Sequence, residues 1–226
     1  MTRLADLQEQ VASTYELLEL PSWPDPHPGT TAPTKDEYSR VTDPDRYRIV
    51  SARAHAWVQT LGALPGVEQT SMPPALLDKT GHLSRFDRGV RLTPGTPGTL
   101  PLLLLERDVP DVVGTASMTV LHVSVVRPEV GLQLLPDCGC DACDRGSDDL
   151  LEAVDDTISH VVGGPSVVLR GSGWHADWYP GGGSSGGEGR GPDHPRTMDW
   201  CRRLAAGQAV RLPRGSEAFV GQSWFA

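Results

Sequence analysis

Several residue types are absent or scarce in this 226-residue chain. Asparagine does not occur, isoleucine occurs only as Ile49 and Ile158, and lysine supplies two of the 20 basic residues. All three residues have AT-rich codons, so a GC-rich genome is the simple explanation. The preference for arginine over lysine is therefore not interpreted as a binding device.

Positive charge and long apolar runs are also lacking. The formal net charge is −9 and the pI is about 5.2, which leaves no excess of cations to bind nucleic acid or anionic membrane. The longest apolar stretch, LPLLLLE, falls far short of the ~20 residues that span a bilayer, and the N-terminus lacks a signal-peptide pattern. We expect a cytoplasmic protein that binds neither nucleic acid nor membrane, and a protein partner remains open.

Glycine and proline concentrate in two segments. The Pro-rich segment 20–36 is expected to run extended over the surface, with Trp23 as its anchor. The Gly-rich segment 180–195 is expected to form a flexible loop, whose residues 181–191 are predicted to be disordered and dispensable for folding. We predict one α+β domain over residues 1–226, with both segments outside its core.

Hydrophobic periodicity predicts three main helices, at residues 3–19, 43–62 and 147–162, with Asp43 and Ser147 as N-caps. A shorter helix is expected at 198–204. Runs of β-branched and apolar residues between turn signals predict antiparallel strands. They are RGVRLTPG, LPLLLLERDV, MTVLHVSVV and VGLQLL, then two strands in PSVVLRGSGWHADWY and one near Ala218. The expected fold is an antiparallel sheet packed by two N-terminal helices and by the helix after the cysteine turn.

Alternation within the segment WHADWY divides its side chains between two faces. Trp174 and Trp178 are expected on the core face of a strand, with His175, Asp177 and Tyr179 on the opposite face.

Three of the four cysteines fall within the segment DCGCDACD, at Cys138, Cys140 and Cys143. The C-x-C and C-x-x-C spacings allow thiolates from one tight turn to reach a single ion. Zinc usually takes four ligands, and the fourth ligand would have to come from elsewhere. The candidates are Cys201, His160 and His122, and the sequence does not choose among them.

Other interpretations of the cysteine segment remain open. The carboxylates of Asp137, Asp141 and Asp144 would be weak ligands or outer partners of a metal. The same C-x-x-C resembles a redox pair, although three neighbouring aspartates disfavour thiolates and the next helix begins several residues later. The third interpretation is an acidic turn whose cysteines simply pack beneath it.

Two other motif matches lack the chemistry that they would need. DACDRGSDDLLE has Asp, Gly and Glu where a calcium loop requires them, but Cys143 and Arg145 occupy positions that need oxygen ligands. GGSSG matches the G-x-S-x-G nucleophile pattern at Ser184, but its flanks are more glycine rather than a strand and a helix. We therefore exclude a calcium loop and a serine nucleophile elbow.

Three segments together resemble an uncharacterised actinobacterial family of unknown function. They are EYSRVTDPDRY, RLTPGTPGTLPLLLL, and CGCDACD followed by an acidic helix ending in VVGG. The resemblance covers about residues 37–164 and implies no activity, cofactor or catalytic residue. The C-terminal Gly-rich segment departs from it.

Two hypotheses about function follow. The first is a non-catalytic cytoplasmic protein with a structural or interaction role, stabilised by zinc at Cys138, Cys140 and Cys143. The second is an enzyme that uses this cluster as a thiol or metal centre. An enzyme would place a pocket with histidine or carboxylate beside the cysteines, whereas a structural site would be closed.

Overall fold

A computed structural model describes residues 3–29, 31–77, 84–110, 117–187 and 191–225. Its α-helices are α1 Leu4–Glu16, α2 Arg48–Gly62, α3 Ser147–Gly163 and α4 His194–Ala205, and its 3₁₀ turns are Lys35–Ser39, Pro44–Tyr47 and Asp141–Cys143. No helix within these ranges is long and apolar enough to cross a membrane. The three main helices lie where the periodicity predicts them.

The predicted N-caps are wrong at both positions. The Asp43 side chain makes no cap hydrogen bond, and the chain forms the turn Pro44–Tyr47 before α2 begins. Gly146 occupies the N-cap position of α3, so Ser147 is already the first helical residue. The Ser147 hydroxyl instead bonds to the backbone of Trp23.

The strands form three antiparallel sheets rather than the single sheet that we predicted. In chain order they are β1 Val67–Met72, β2 Ala75–Leu76, β3 Arg85–Phe86, β4 Arg88–Pro94, β5 Leu102–Pro110, β6 Ser117–Val125, β7 Gly131–Leu135, β8 Ser166–Gly171, β9 Trp174–Tyr179, β10 Gly182–Gly187 and β11 Glu217–Gly221. One sheet has the order β1-β4-β5-β6-β7, a second has the order β10-β9-β8-β11, and β2 pairs with β3. Helices and antiparallel sheets together confirm the α+β class.

Strand β5 is buried on both faces, which explains its run of leucines. Leu102 and Leu104 belong to the main core, which lies between the five-stranded sheet and helices α1, α2 and α3. Leu103 and Leu105 face the other way, where Phe86 of the β2–β3 pair packs against them. A strand covered on both faces shows a continuous apolar run instead of an alternating one.

The four-stranded sheet forms a second, smaller core with α4. Trp174 and Trp178 pack into this core beside Trp200, which confirms the face that we predicted for both residues. On the opposite face of β9, Tyr179 stacks on His160 of α3 with ring centroids 3.4 Å apart. The sheet is therefore covered by α4 on one face and contacts α3 on the other.

Strand β10 corrects the prediction of a flexible Gly-rich loop. Residues 182–187 pair in antiparallel register with Trp174–Tyr179 of β9. A Cβ added at Gly183 would lie 2.8 Å from Sδ of Met198 on α4 and 2.7 Å from the Asp177 carbonyl oxygen. Glycine lets this strand approach α4 and β9 closely, a role that composition alone did not indicate. Residues 188–190 of the predicted loop lie outside the described residues.

Candidate metal centre

The structure brings the three cysteines of the DCGCDACD segment together. The sulfurs of Cys138 and Cys140 are 3.2 Å apart, and the three sulfurs, including that of Cys143, all lie within 4.8 Å of one another. Ligands 2.3 Å from a tetrahedral zinc ion lie about 3.8 Å apart. Because no separation differs from this value by more than about 1 Å, small side-chain movements suffice for all three sulfurs to bind one ion.

Local backbone geometry directs donors toward the central sulfur. After β7 the chain passes through Cys138 and Gly139 and enters the 3₁₀ turn Asp141–Cys143. The backbone N–H of Cys143 donates to the Cys140 carbonyl oxygen at 3.0 Å, and the backbone amides of Ala142 and Cys143 help to lower the pKa of the Cys140 thiol. Donors aimed at a sulfur favour its thiolate form, which is the form that binds metals.

The pKa values of Cys140 and Cys143 shift in opposite directions. Burial of Cys140 favours its neutral thiol, but hydrogen bonds from Cys138, Cys143 and the turn amides outweigh burial and lower the pKa of Cys140. Hydrogen bonding to Cys140 and Cys138 raises the pKa of Cys143 to about 12. Without a metal, Cys140 is therefore the preferred thiolate and Cys143 serves as a donor to it.

Gly139 allows the cysteine turn to pack closely against β6 of the five-stranded sheet. A Cβ at this position would lie 2.2 Å from Sδ of Met118 on β6, so a side chain here would displace Met118. The Gly139 carbonyl oxygen accepts a hydrogen bond of 3.2 Å from the Tyr47 hydroxyl. The glycine between the first two cysteines thus has a packing role.

Asp141 ties the cysteine turn to the segment before α2. It is 8% exposed, and it accepts hydrogen bonds from Arg40 Nε at 2.6 Å and from the Thr42 hydroxyl and amide at 2.6 and 2.9 Å. Its own amide donates to the Arg40 carbonyl oxygen at 2.8 Å. Burial raises the pKa of this carboxyl, but these donors outweigh burial and hold the pKa below its usual range.

Asp144 ties the same turn to the Pro-rich segment. It is 4% exposed and accepts hydrogen bonds from Trp23 Nε1 at 3.0 Å, Arg46 Nη2 at 2.7 Å and the Gly146 amide at 2.9 Å. The Arg46 guanidinium also lies 4.8 Å from the ring centroid of Trp23 and 5.1 Å from that of Tyr47. Trp23 therefore anchors the Pro-rich segment as the sequence predicted.

The fourth-ligand candidates from the sequence do not join the cluster. Among the residues that the structure describes, the group of convergent ligand atoms contains the three cysteines alone. Cys201 is fully buried in the α4 core, where burial raises its pKa to about 12. His122 packs against Gly131 in the five-stranded sheet. Cys138 and Cys143 are exposed, so the cluster opens toward solvent.

His160, the third candidate for the fourth ligand, has a different environment. It lies against Tyr179, and burial lowers its pKa although Asp156 and Asp177 act in the opposite direction. Its place in the stack makes it a packing residue between α3 and the four-stranded sheet.

The sequence did not reveal what the aspartates of the turn do. Asp141 and Asp144 direct their carboxylates into the protein, toward Arg40 and Arg46, rather than toward the sulfurs. Both arginines lie about a hundred residues earlier in the chain, so no local spacing connects them with the turn. The one available signal was the motif EYSRVTDPDRY, which contains both arginines.

Comparison with known proteins identifies the family. The profile of a family of unknown function (DUF6226) matches residues 11–226, and the chain belongs to this family. The match confirms the resemblance of the three sequence segments to a family of unknown function and extends it over the C-terminal residues. No curated protein and no solved structure matches the chain.

Proposed function

We propose that the chain is a non-catalytic protein with a structural or interaction role, in which Cys138, Cys140 and Cys143 bind one zinc ion. The observation that carries this proposal is the convergence of three sulfurs within 4.8 Å of one another. Thiolate ligands suit zinc and other soft ions and exclude calcium and magnesium.

The position of the turn supports a structural role for the ion. The Pro-rich segment, the turn Pro44–Tyr47 and β6 all contact residues 139–147, which lead directly into α3. A metal that fixes the turn would fix the junction of these segments, because its binding energy contributes to folding. The carboxylates of Asp141 and Asp144 are occupied by arginine, threonine and tryptophan donors, which leaves these two unsuited to act as a general base at the metal.

The proposal also assigns a compartment and a domain organisation. Three free thiols this close would oxidise in a secretory compartment, so we assign the protein to the cytoplasm. A single domain over the whole chain is supported by contacts between the two larger sheets. Arg170 of β8 donates to the Gly131 carbonyl oxygen of β7. The residues after β11 also contact the main core, since the Trp224 amide donates to the Val162 carbonyl oxygen of α3 at 2.9 Å.

Metal analysis of two cysteine variants tests the zinc site. The full chain, purified without chelator, should contain about one zinc per molecule, and Cys140→Ser should lose both the metal and stability in urea unfolding. Cys201→Ser is the matched control, because Cys201 is also buried but lies in the α4 core. Retention of zinc by Cys140→Ser, or a wild-type chain that does not bind added zinc, would overturn the proposal.

The open side of the cluster favours a second candidate, an enzyme with a metal or thiol centre. Zinc with three protein ligands and a free position is the arrangement of catalytic zinc sites. The lowered pKa of Cys140 and its 3.2 Å contact with Cys138 also suit thiol chemistry. Titration of the chelated chain in glutathione buffers distinguishes these roles. A defined Cys138–Cys140 oxidation step within the cytosolic range would favour the enzyme, and its absence together with tight zinc binding favours the structural site.

A further inference from the structure

A cleft of about 200 Å³ lies on the face of the five-stranded sheet that points away from the main core. Its walls are mostly apolar and come from strands β5, β6 and β7 and from the residues that follow β7: Val109, Met118, Val120, Leu134 and Pro136. Two charged residues, Arg107 and Asp137, complete the lining. The volume is below the roughly 300–1,000 Å³ of pockets for drug-sized ligands, so an occupant must be small.

Arg107 brings an unpaired positive charge to this cleft. It makes no ion pair or hydrogen bond to the part of the chain that the structure describes, and its Nε is shielded from solvent without a partner. Its sequence neighbours Glu106 and Asp108 do not neutralise it. Alternation along β5 places both carboxylates on the opposite face, where they bind Arg88. A half-buried guanidinium that lacks a partner is costly unless an anion binds it.

Asp137 brings the opposite charge to the same cleft. It is exposed and forms no ion pair with Arg107 or with any other cation in the described ranges, although both side chains line one small cavity. No ion pair therefore joins the two charges in the described residues, and the other side chains that line the cleft are apolar. This arrangement matches a ligand that carries both a carboxylate and an ammonium group next to an aliphatic chain.

We propose that the cleft binds an aliphatic α-amino acid as its zwitterion. Arg107 receives the carboxylate, because its planar guanidinium forms paired hydrogen bonds with carboxylates. Asp137 accepts hydrogen bonds from the ammonium group, and Val109, Met118 and Leu134 contact the side chain. This binding site is separate from the zinc site, because the cysteine sulfurs do not line the cleft.

Calorimetric titration of the full chain with L-leucine and truncated analogues tests this assignment. L-Leucine should bind saturably. Three analogues should each bind at least about tenfold more weakly, because each leaves one part of the site unused: 4-methylpentanoate lacks the ammonium group, 3-methylbutylamine lacks the carboxylate, and glycine lacks the side chain. If L-leucine, L-valine and L-methionine all fail to bind at up to about 10 mM, or if 4-methylpentanoate binds as tightly as L-leucine, the zwitterion site is refuted.

Variants of the two charged residues locate the binding. Arg107→Met should reduce L-leucine binding by at least about tenfold. Asp137→Asn should remove the preference for L-leucine over 4-methylpentanoate. Arg211→Met is the control, because it removes the same charge from an exposed arginine that does not line the cleft. Unfolding of each variant without ligand verifies folding. Unchanged affinity in folded Arg107→Met would overturn the proposal.

Discussion

Asp144 offers a direct test of the network that holds the cysteine turn. We expect Asp144→Asn to lower the free energy of unfolding strongly, because the change removes the negative charge beside Arg46, whose side chain is only 18% exposed. Breaking a buried ion pair by removing one partner costs about 3–5 kcal/mol. Arg46 retains its contacts with the rings of Trp23 and Tyr47, and an asparagine oxygen still accepts one hydrogen bond.

These residual contacts reduce the expected loss for Asp144→Asn to about 2–3 kcal/mol. Urea unfolding followed by tryptophan fluorescence measures it, once with zinc and once with excess chelator, so that metal loss and network loss are separated. Glu152→Gln removes an equal charge from an exposed position on α3 and should change stability by no more than about 0.5 kcal/mol. A loss of less than about 1 kcal/mol for Asp144→Asn in chelator would refute the structural role assigned to the network.

Three further predictions concern other parts of the fold. Gly146→Ala should destabilise the protein by about 2 kcal/mol or more, because φ is +91° and the added Cβ would meet the backbone of the Pro-rich segment. The control Gly207→Ala, at φ +72° in open space, should cost only about 1 kcal/mol. Equal losses in urea unfolding would contradict the packing argument. Deleting residues 182–187 should lower the urea midpoint clearly, since it removes β10, and a neutral result would instead support the flexible loop. Burial lowers the pKa of His160 below its ordinary value of 6.5. As pH falls, the unfolded chain therefore takes up a proton before the folded chain does, and stability should decrease below pH 6.5. Thermal unfolding at about pH 5–8 should show a smaller decrease for His160→Gln, and identical pH profiles would exclude this contribution.

Local patterns predicted the helices and the cysteine turn well. Apolar spacing identified α2 and α3 to within a few residues, because one helix face must be buried whatever lies opposite it. The C-x-C-x-x-C spacing likewise predicts the convergence of its sulfurs, since all three belong to one short turn. In both cases the residues that define the pattern lie within a few positions of one another in the sequence.

The pairing of strands that are distant in the chain could not be predicted from the sequence. Strands β4 to β9 and β11 were recognised, whereas β1, β2 and β3 were not predicted. The division of the strands into separate sheets depends on which edges meet, and no spacing encodes that choice. Strand β10 was missed because GGSSGG has no apolar alternation, and its glycines are needed for closeness to Met198 and Asp177. The cap predicted at Ser147 failed for a related reason, since a tertiary contact with Trp23 uses its hydroxyl.

The tie between the cysteine turn and the N-terminal segments has a consequence for synthesis on the ribosome. Trp23, Arg46 and Arg53 emerge early, but their carboxylate partners Asp144 and Asp155 follow 98 to 121 positions later. Until α3 is made, the nascent chain therefore carries these three side chains and an apolar face of α2 without their native partners. Closing such long loops slows folding. The network around the turn can assemble only once residue 144 has been translated, so the proposed capture of a metal would be a late event that still precedes the strands β8 to β11.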